Sequence, residues 1–135
     1  MIDVGLLVLR LVLGVIFIGH GAQKLFGSFG GPGLKGTALG FEQIGLRPGR
    51  LMALMAGLAE FVGGILVILG FLTPLAALAL IGVMIVAVLT VHLKNGFFVT
   101  NGGYEFNLAL AGMALTLLIA GAGAYSLDSM LGIFW

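Results

Sequence analysis

Apolar residues fill the chain in long runs, and polar positions gather into a few short breaks. A helix that crosses about 30 Å of hydrocarbon needs roughly 20 predominantly apolar residues. Four runs qualify, at about residues 4–23, 51–72, 75–93 and 104–122. They predict an all-α integral membrane four-helix bundle, a single domain over residues 1–135. The first break is the longest. Between its clusters of Gly30, Gly31, Pro32, Gly33 and of Gly45, Pro48, Gly49, the residues Leu34, Ala38, Phe41 and Ile44 recur at helical spacing. Lys35 and Glu42 fall on other faces, so a short interfacial helix is expected between spans one and two. Gly70 and Pro74 mark a tight hairpin between spans two and three.

Composition settles the solvent. The chain is 61% hydrophobic and 8% charged with a formal charge of +1, and its mean hydropathy is +1.26. An ordinary soluble domain carries about a quarter charged residues, so most of this surface faces membrane lipid. A nucleic-acid partner is excluded, because no basic stripe exists. The absence of cysteine excludes thiol chemistry, thiolate-bound iron–sulfur clusters and Cys-based zinc sites. Met1, Ile2 and Asp3 lack the basic start of a secretory signal, and no small-residue cleavage site follows, so the first span is expected to be retained.

Charge then sets orientation. Lys24, Lys35, Arg47, Arg50 and Lys94 all fall in or beside the first and third connections. The second connection and the C-terminal tail have no basic residue. The positive-inside rule puts the basic connections in the cytoplasm and both termini outside. Phe26, Phe29, Phe97, Phe98 and Trp135 lie near span ends, where an aromatic belt is expected or the entrance of a quinone-sized site.

Ionisable residues at membrane depth each cost roughly 2.5–3.5 kcal/mol on insertion scales and should face the bundle interior. Arg10, Gly14, Phe17, Gly21 and Lys24 share a face of span one, with His20 at its margin. Ala53, Ala56, Gly57, Glu60 and Gly64 share a face of span two, and Glu105, Ala109, Gly112 and Thr116 a face of span four. Small residues let helices approach closely in lipid, so all three faces are expected to point inward. By depth, Arg10 and Glu60 form an interhelical pair, acting as a structural staple or as part of a function. Glu105 is left to pair with Lys24, His20 or His92.

The catalytic candidates are therefore Glu60, Glu105, His20 and His92, with Arg10, Glu60, Lys24 and Glu105 as ion-pair candidates. His20 and His92 permit axial ligation of a b-type haem, a reading that ranks below an interfacial role for each histidine. His20, His92 and Glu105 would make a 2-His-1-carboxylate set only without any local spacing signature, so no metal site is assigned. Gly31, Gly33 and Gly36 match the spacing of a dinucleotide loop. A membrane helix precedes them rather than a strand, so the match is coincidental.

Over its whole length the sequence resembles the DoxX family. The likeness lies in Leu9, Arg10 and Leu11 with Gly14 and Phe17, in His20, Gly21, Lys24 and Leu25, and in Glu60 with Gly63 and Gly64. It continues through Leu69, Gly70, Thr73, His92, Gly96, Phe97, Phe98, Gly102, Gly103, Tyr104 and Glu105 to Tyr125, Ser126, Leu127 and Asp128. Two departures sit at span ends: Pro74 where members often carry Arg, and Ala122 within what is often Gly-Pro-Gly. The resemblance implies a bacterial inner-membrane protein, similar to the DoxD subunit of thiosulfate:quinone oxidoreductase. It implies a link to membrane oxidoreductases and to oxidative or quinone stress, with no catalytic role fixed for any residue.

Three functions compete. A redox-associated subunit would need bound quinone, haem or a protein partner's cofactor. Glu60 or Glu105 would then take up protons while His20 or His92 bonds a quinone carbonyl. A non-enzymatic scaffold would use the polar pairs and small-residue faces for packing and the interfacial helix for docking. A small transporter would need homo-oligomerisation to build a path from so few spans, and no broken-helix pair is visible.

Overall fold

A computed structural model describes residues 1–134. Trp135, expected in the aromatic belt, lies outside the described residues. Helix α1 spans Ile2–Phe26, and α2, the expected short helix of the first connection, spans Gly33–Gln43. Helix α3 runs Gly49–Leu69 and α4 Thr73–Ala87. One π-helical turn, Val88–His92, and a 3-10 turn to Asn95 carry α4 on without a break. Helix α5 spans Glu105–Ala120, and a short α6, Leu127–Leu131, closes the tail. Three of these helical runs are long and apolar enough to cross a membrane. The protein is an all-helical membrane bundle.

The expected fourth span, 104–122, is shorter in the structure. Sixteen helical residues reach only about 24 Å at 1.5 Å per residue. Gly121, at φ +81°, turns the chain out of the helix.

Helices α1 and α3 make the tightest crossing. A Cβ on Gly14 would stand 2.7 Å from Gly64 O, and one on Gly64 2.8 Å from Gly14 O. In lipid, where apolar burial no longer drives helices together, such backbone proximity supplies the packing. The expected inward faces of spans one and two are accordingly buried from Arg10 to Gly21 and from Ala53 to Gly64, with Ala56 half-buried. The core consists of Leu13 and Phe17 from α1, Val67 from α3, Ala77 and Leu80 from α4, and Leu110, Ala114 and Leu117 from α5.

Span four departs from expectation. Ala109, Gly112 and Thr116 are exposed, while Asn107, Leu110, Ala114 and Leu117 turn inward. The reason is that α5 meets α4 through larger side chains, Leu110 and Leu117 against Ala76, Ala77 and Leu80. The smaller residues are then left on the outer face.

Candidate functional site

The crossing at Gly14 and Gly64 divides the bundle into two ends with different chemistry. At the terminal end, Arg10 lies beside the last turn of α3 rather than beside Glu60. Its Nε donates to Val67 O at 2.9 Å and its Nη2 to Ile68 O at 2.7 Å. Its Nη1 donates to Ala122 O at 3.1 Å and Tyr125 O at 2.8 Å. The last carbonyls of a helix have no partner within it and carry its negative dipole end, so a guanidinium fork suits them better than a carboxylate further up the helix. The expected Arg10–Glu60 pair is therefore not formed.

The tail completes this clasp. Asp128 accepts from Leu72 N at 2.7 Å and Thr73 N at 3.0 Å, capping the start of α4 from 55 residues away. Its own N–H donates to Gly70 O at 2.8 Å, and Asp3 Oδ1 accepts from Ala124 N at 3.0 Å. Gly70 has φ +65°, and a Cβ there would stand 2.7 Å from Arg10 Nη2. Only glycine makes that turn without displacing the arginine.

The connection end is built differently. Between α3 and α4 lies a cavity of about 670 Å³. Its walls are apolar: Met52, Ala56 and Ala59 from α3, and Gly82, Val83 and Ala87 from α4. Phe41 and Ile44 of the α2 segment line it as well, with Phe17 of α1 and Phe106 of α5. The polar groups on its lining include Lys24, Glu60, His20, His92, Thr90 and Asn107. Small-molecule pockets commonly measure about 300–1,000 Å³ with a few polar groups among apolar walls.

Glu60 is the buried charge of this end, at 1% exposure. Lys24 Nζ sits 2.8 Å from its Oε1 and forms the one ion pair among the described residues. No other donor reaches that oxygen. The lysine side chain is itself 24% exposed and reaches the pair from the last turn of α1.

His92 closes the π-helical turn and places Nδ1 2.7 Å from Gly102 O. His20 is exposed and leans on Phe106, with ring centroids 6.1 Å apart. Glu105 does not join them. Its Oε1 accepts from Val99 N at 3.0 Å in the loop before α5, and its place in the first turn of α5 suits the positive dipole end of that helix. None of its expected partners Lys24, His20 and His92 is engaged. No group of three metal-ligating side chains assembles among the described residues.

Of the sequence candidates, then, the structure brings Lys24, Glu60, His20 and His92 around one cavity and sets Arg10 and Glu105 apart. Asn107 was missed. It is buried on α5, donates weakly to Met84 Sδ at 3.6 Å, and its signal was a lone amide inside an apolar span. Asp128 stood within the family-like tail without an assigned partner, since nothing local to Leu127 and Ser129 points to the start of α4.

The profile of the DoxX family matches residues 5–93. The "Inner membrane protein YqjF" of Escherichia coli is 35% identical over 133 residues, covering 98% of this chain and 96% of that protein. The "Putative oxidoreductase CatD" of Bacillus subtilis is 32% identical over 126 residues, 93% of this chain and 86% of that protein. The "Inner membrane protein YphA" of Escherichia coli is 34% identical over 128 residues, 91% and 87% of the two chains. No solved structure shows a significant match. With full-length relatives of this kind and a family match over most of its length, this membrane protein belongs to the DoxX family.

Proposed function

We propose that the protein is a subunit of a bacterial inner-membrane oxidoreductase system and holds a quinone-type ligand in the cavity between α3 and α4. The observation that carries this reading is the placement of Glu60, buried and held by a single partly exposed lysine, on an apolar cavity that opens between two helices. A flat ring with a lipid-soluble tail suits apolar walls with polar groups grouped toward one end. The name of the Bacillus subtilis relative, an oxidoreductase, agrees with redox work.

The residues offer proton-handling and hydrogen-bonding groups, and no cysteine that could carry electrons. Electrons therefore pass between the ligand and a partner's cofactor. The outward Ala109, Gly112 and Thr116 face of α5 favours contact with another helix. Lys24, Lys35, Arg47, Arg50 and Lys94 all lie at the connection end, which puts that end and the cavity on the cytoplasmic side.

The test uses purified protein in lipid nanodiscs, titrated with ubiquinone-1 and, anaerobically, with ubiquinol-1. At least one form binds, and Gly82→Phe abolishes binding. A Cβ on Gly82 meets nothing within 4 Å, so the new ring enters the cavity mouth without disturbing the helix. Absence of binding by both forms, or binding unchanged by Gly82→Phe, overturns the proposal.

A further inference from the structure

Five basic side chains lie at the connection end, Lys24, Lys35, Arg47, Arg50 and Lys94, with three acids, Glu42, Glu60 and Glu105. Lys24 and Glu60 form the one ion pair among the described residues. The other two acids are turned onto main-chain N–H groups. Glu42 Oε2 accepts from Gly49 N at 3.2 Å, and Glu105 Oε1 from Val99 N at 3.0 Å. Lys35, Arg47, Arg50 and Lys94 are all exposed, and none has a carboxylate of this chain within 4 Å among the described residues.

Two of these four cations share a groove. It holds about 420 Å³ and is lined by Leu34, Lys35, Ala38 and Leu39 of α2 and by Arg50 of α3, with no acid among them. Packing brings the two helices together here. A Cβ on Gly49 would stand 2.5 Å from Glu42 Cγ and would strike Ala38 O, so α2 rests directly on the first residue of α3. Arg50, the next residue, is thereby held beside the second turn of α2. Lys35 precedes Ala38 by three positions and Leu39 by four, which puts all three on one side of α2. Each helix thus sets one cation against a shared apolar floor. Along α3, Leu54 and Leu58 follow Arg50 at steps of four, both exposed, and extend the apolar surface into the span.

From this arrangement we propose that the groove between α2 and α3 binds an anionic glycerophospholipid, with Lys35 and Arg50 on its phosphate and an acyl chain along Leu54 and Leu58. A phosphodiester suits the pair, because the arginine fork bonds two oxygens at once and the ammonium adds a point charge. A free phosphate would leave the leucines without a role. A zwitterionic lipid brings an ammonium of its own, which two cations repel and no lining carboxylate accepts. The groove shares no lining residue with the cavity between α3 and α4, so the proposal stands or falls independently of the quinone-type reading.

Native mass spectrometry of the full chain tests it, after delipidation in detergent and addition of equimolar phosphatidylglycerol and phosphatidylcholine. Phosphatidylglycerol is expected to be retained roughly tenfold over phosphatidylcholine, the order set by two cations near a lipid surface. Lys35→Gln combined with Arg50→Gln abolishes the preference, and Lys35→Gln alone narrows it. Both side chains are exposed, so the thermal unfolding midpoint without added lipid stays in place. Arg47→Gln combined with Lys94→Gln removes the same charge away from the groove and keeps the preference. A large molar excess of inorganic phosphate leaves phosphatidylglycerol bound. Equal retention of the two lipids, or a preference that survives Lys35→Gln with Arg50→Gln, overturns the proposal. So does an equal loss in both double variants, since surface charge alone would then govern retention. Full displacement by inorganic phosphate would make the groove a simple anion site and overturn the lipid assignment.

Discussion

Arg10 and Glu60 are each 1% exposed, yet the two ends of the bundle treat them in opposite ways. Arg10 directs four hydrogen bonds to fixed backbone oxygens, two on α3 and two on the tail. Glu60 has a single partner, a lysine that is partly in solvent, and it fronts a cavity. Burial cost marks both residues equally. What separates them is how completely the surroundings satisfy each charge. A guanidinium with four of its five N–H donors on main-chain oxygens is held in place and acts as a joint. A carboxylate held by a single lysine at a cavity wall keeps lone pairs for a ligand.

If this contrast is right, mutations at the terminal end damage stability first. The largest effect is expected from Arg10→Leu, which leaves the oxygens of Val67, Ile68, Ala122 and Tyr125 without their donor. Loss of a charged donor and stranding of buried acceptors amount to about 3 kcal/mol or more. The thermal unfolding midpoint in detergent reads this, and Arg10→Lys should recover little because a point-like ammonium cannot reproduce the fork. Asp128→Ala removes the acceptor shared by Leu72 N and Thr73 N at the start of α4. Its cost is that of a lost helix cap, about 1–2 kcal/mol, and Asp128→Asn should restore part of it. If either change left stability intact while altering ligand binding, the terminal end would be no mere joint.

The sequence made the helices legible and left their pairings hidden, for a physical reason. Length and hydropathy locate a span because the bilayer demands them, and the α1 and α3 faces follow from small residues that admit a backbone contact. Facing is harder to read when the solvent is lipid, since both sides of a helix are apolar. Hence Ala109, Gly112 and Thr116 gave the wrong side of α5, where Leu110 and Leu117 fill the space against α4. Partners fail for a related reason. Charge and depth suggested Glu60 for Arg10, but the end of α3 and the tail together offer four main-chain oxygens, which no side-chain letter announces. Glu105 repeats the lesson, with its oxygen on Val99 N rather than on a cation. Depth alone suggested only that His20, His92 and Glu105 share a level with Glu60 nearer the middle, and the cavity that joins Lys24, Glu60, His20 and His92 is a tertiary feature that no local pattern announces.

At the connection end the expected damage is to binding. Glu60→Gln preserves shape and leaves Lys24 unpaired, but that side chain is partly exposed and its charged head reaches water at the helix end. Stability should shift by less than about 1 kcal/mol, against a loss of affinity for ubiquinone-1 or ubiquinol-1, whichever binds, of roughly tenfold, or about 1.4 kcal/mol. A fall in stability as large as that of Arg10→Leu, with binding intact, would make Glu60 a second joint and erase the contrast.

The smallest effect sharpens the comparison most, because it holds the chemistry constant and changes only the place. Glu105 is a carboxylate at the same end of the bundle as Glu60, but it lies in the first turn of α5 and accepts from Val99 N at 3.0 Å. Glu105→Gln keeps an oxygen for that N–H and removes the charge that favours the helix N-terminus, a change of about 0.5 kcal/mol. Affinity for the same ubiquinone-1 or ubiquinol-1 probe should be unchanged within error, since the side chain is not part of the cavity wall. Were Glu105→Gln to weaken the ligand as much as Glu60→Gln does, the effect would be one of overall negative charge near the membrane surface. The cavity would then lose its claim on a specific carboxylate. A loss confined to Glu60→Gln ties binding to the one acid that is both buried and on the cavity wall.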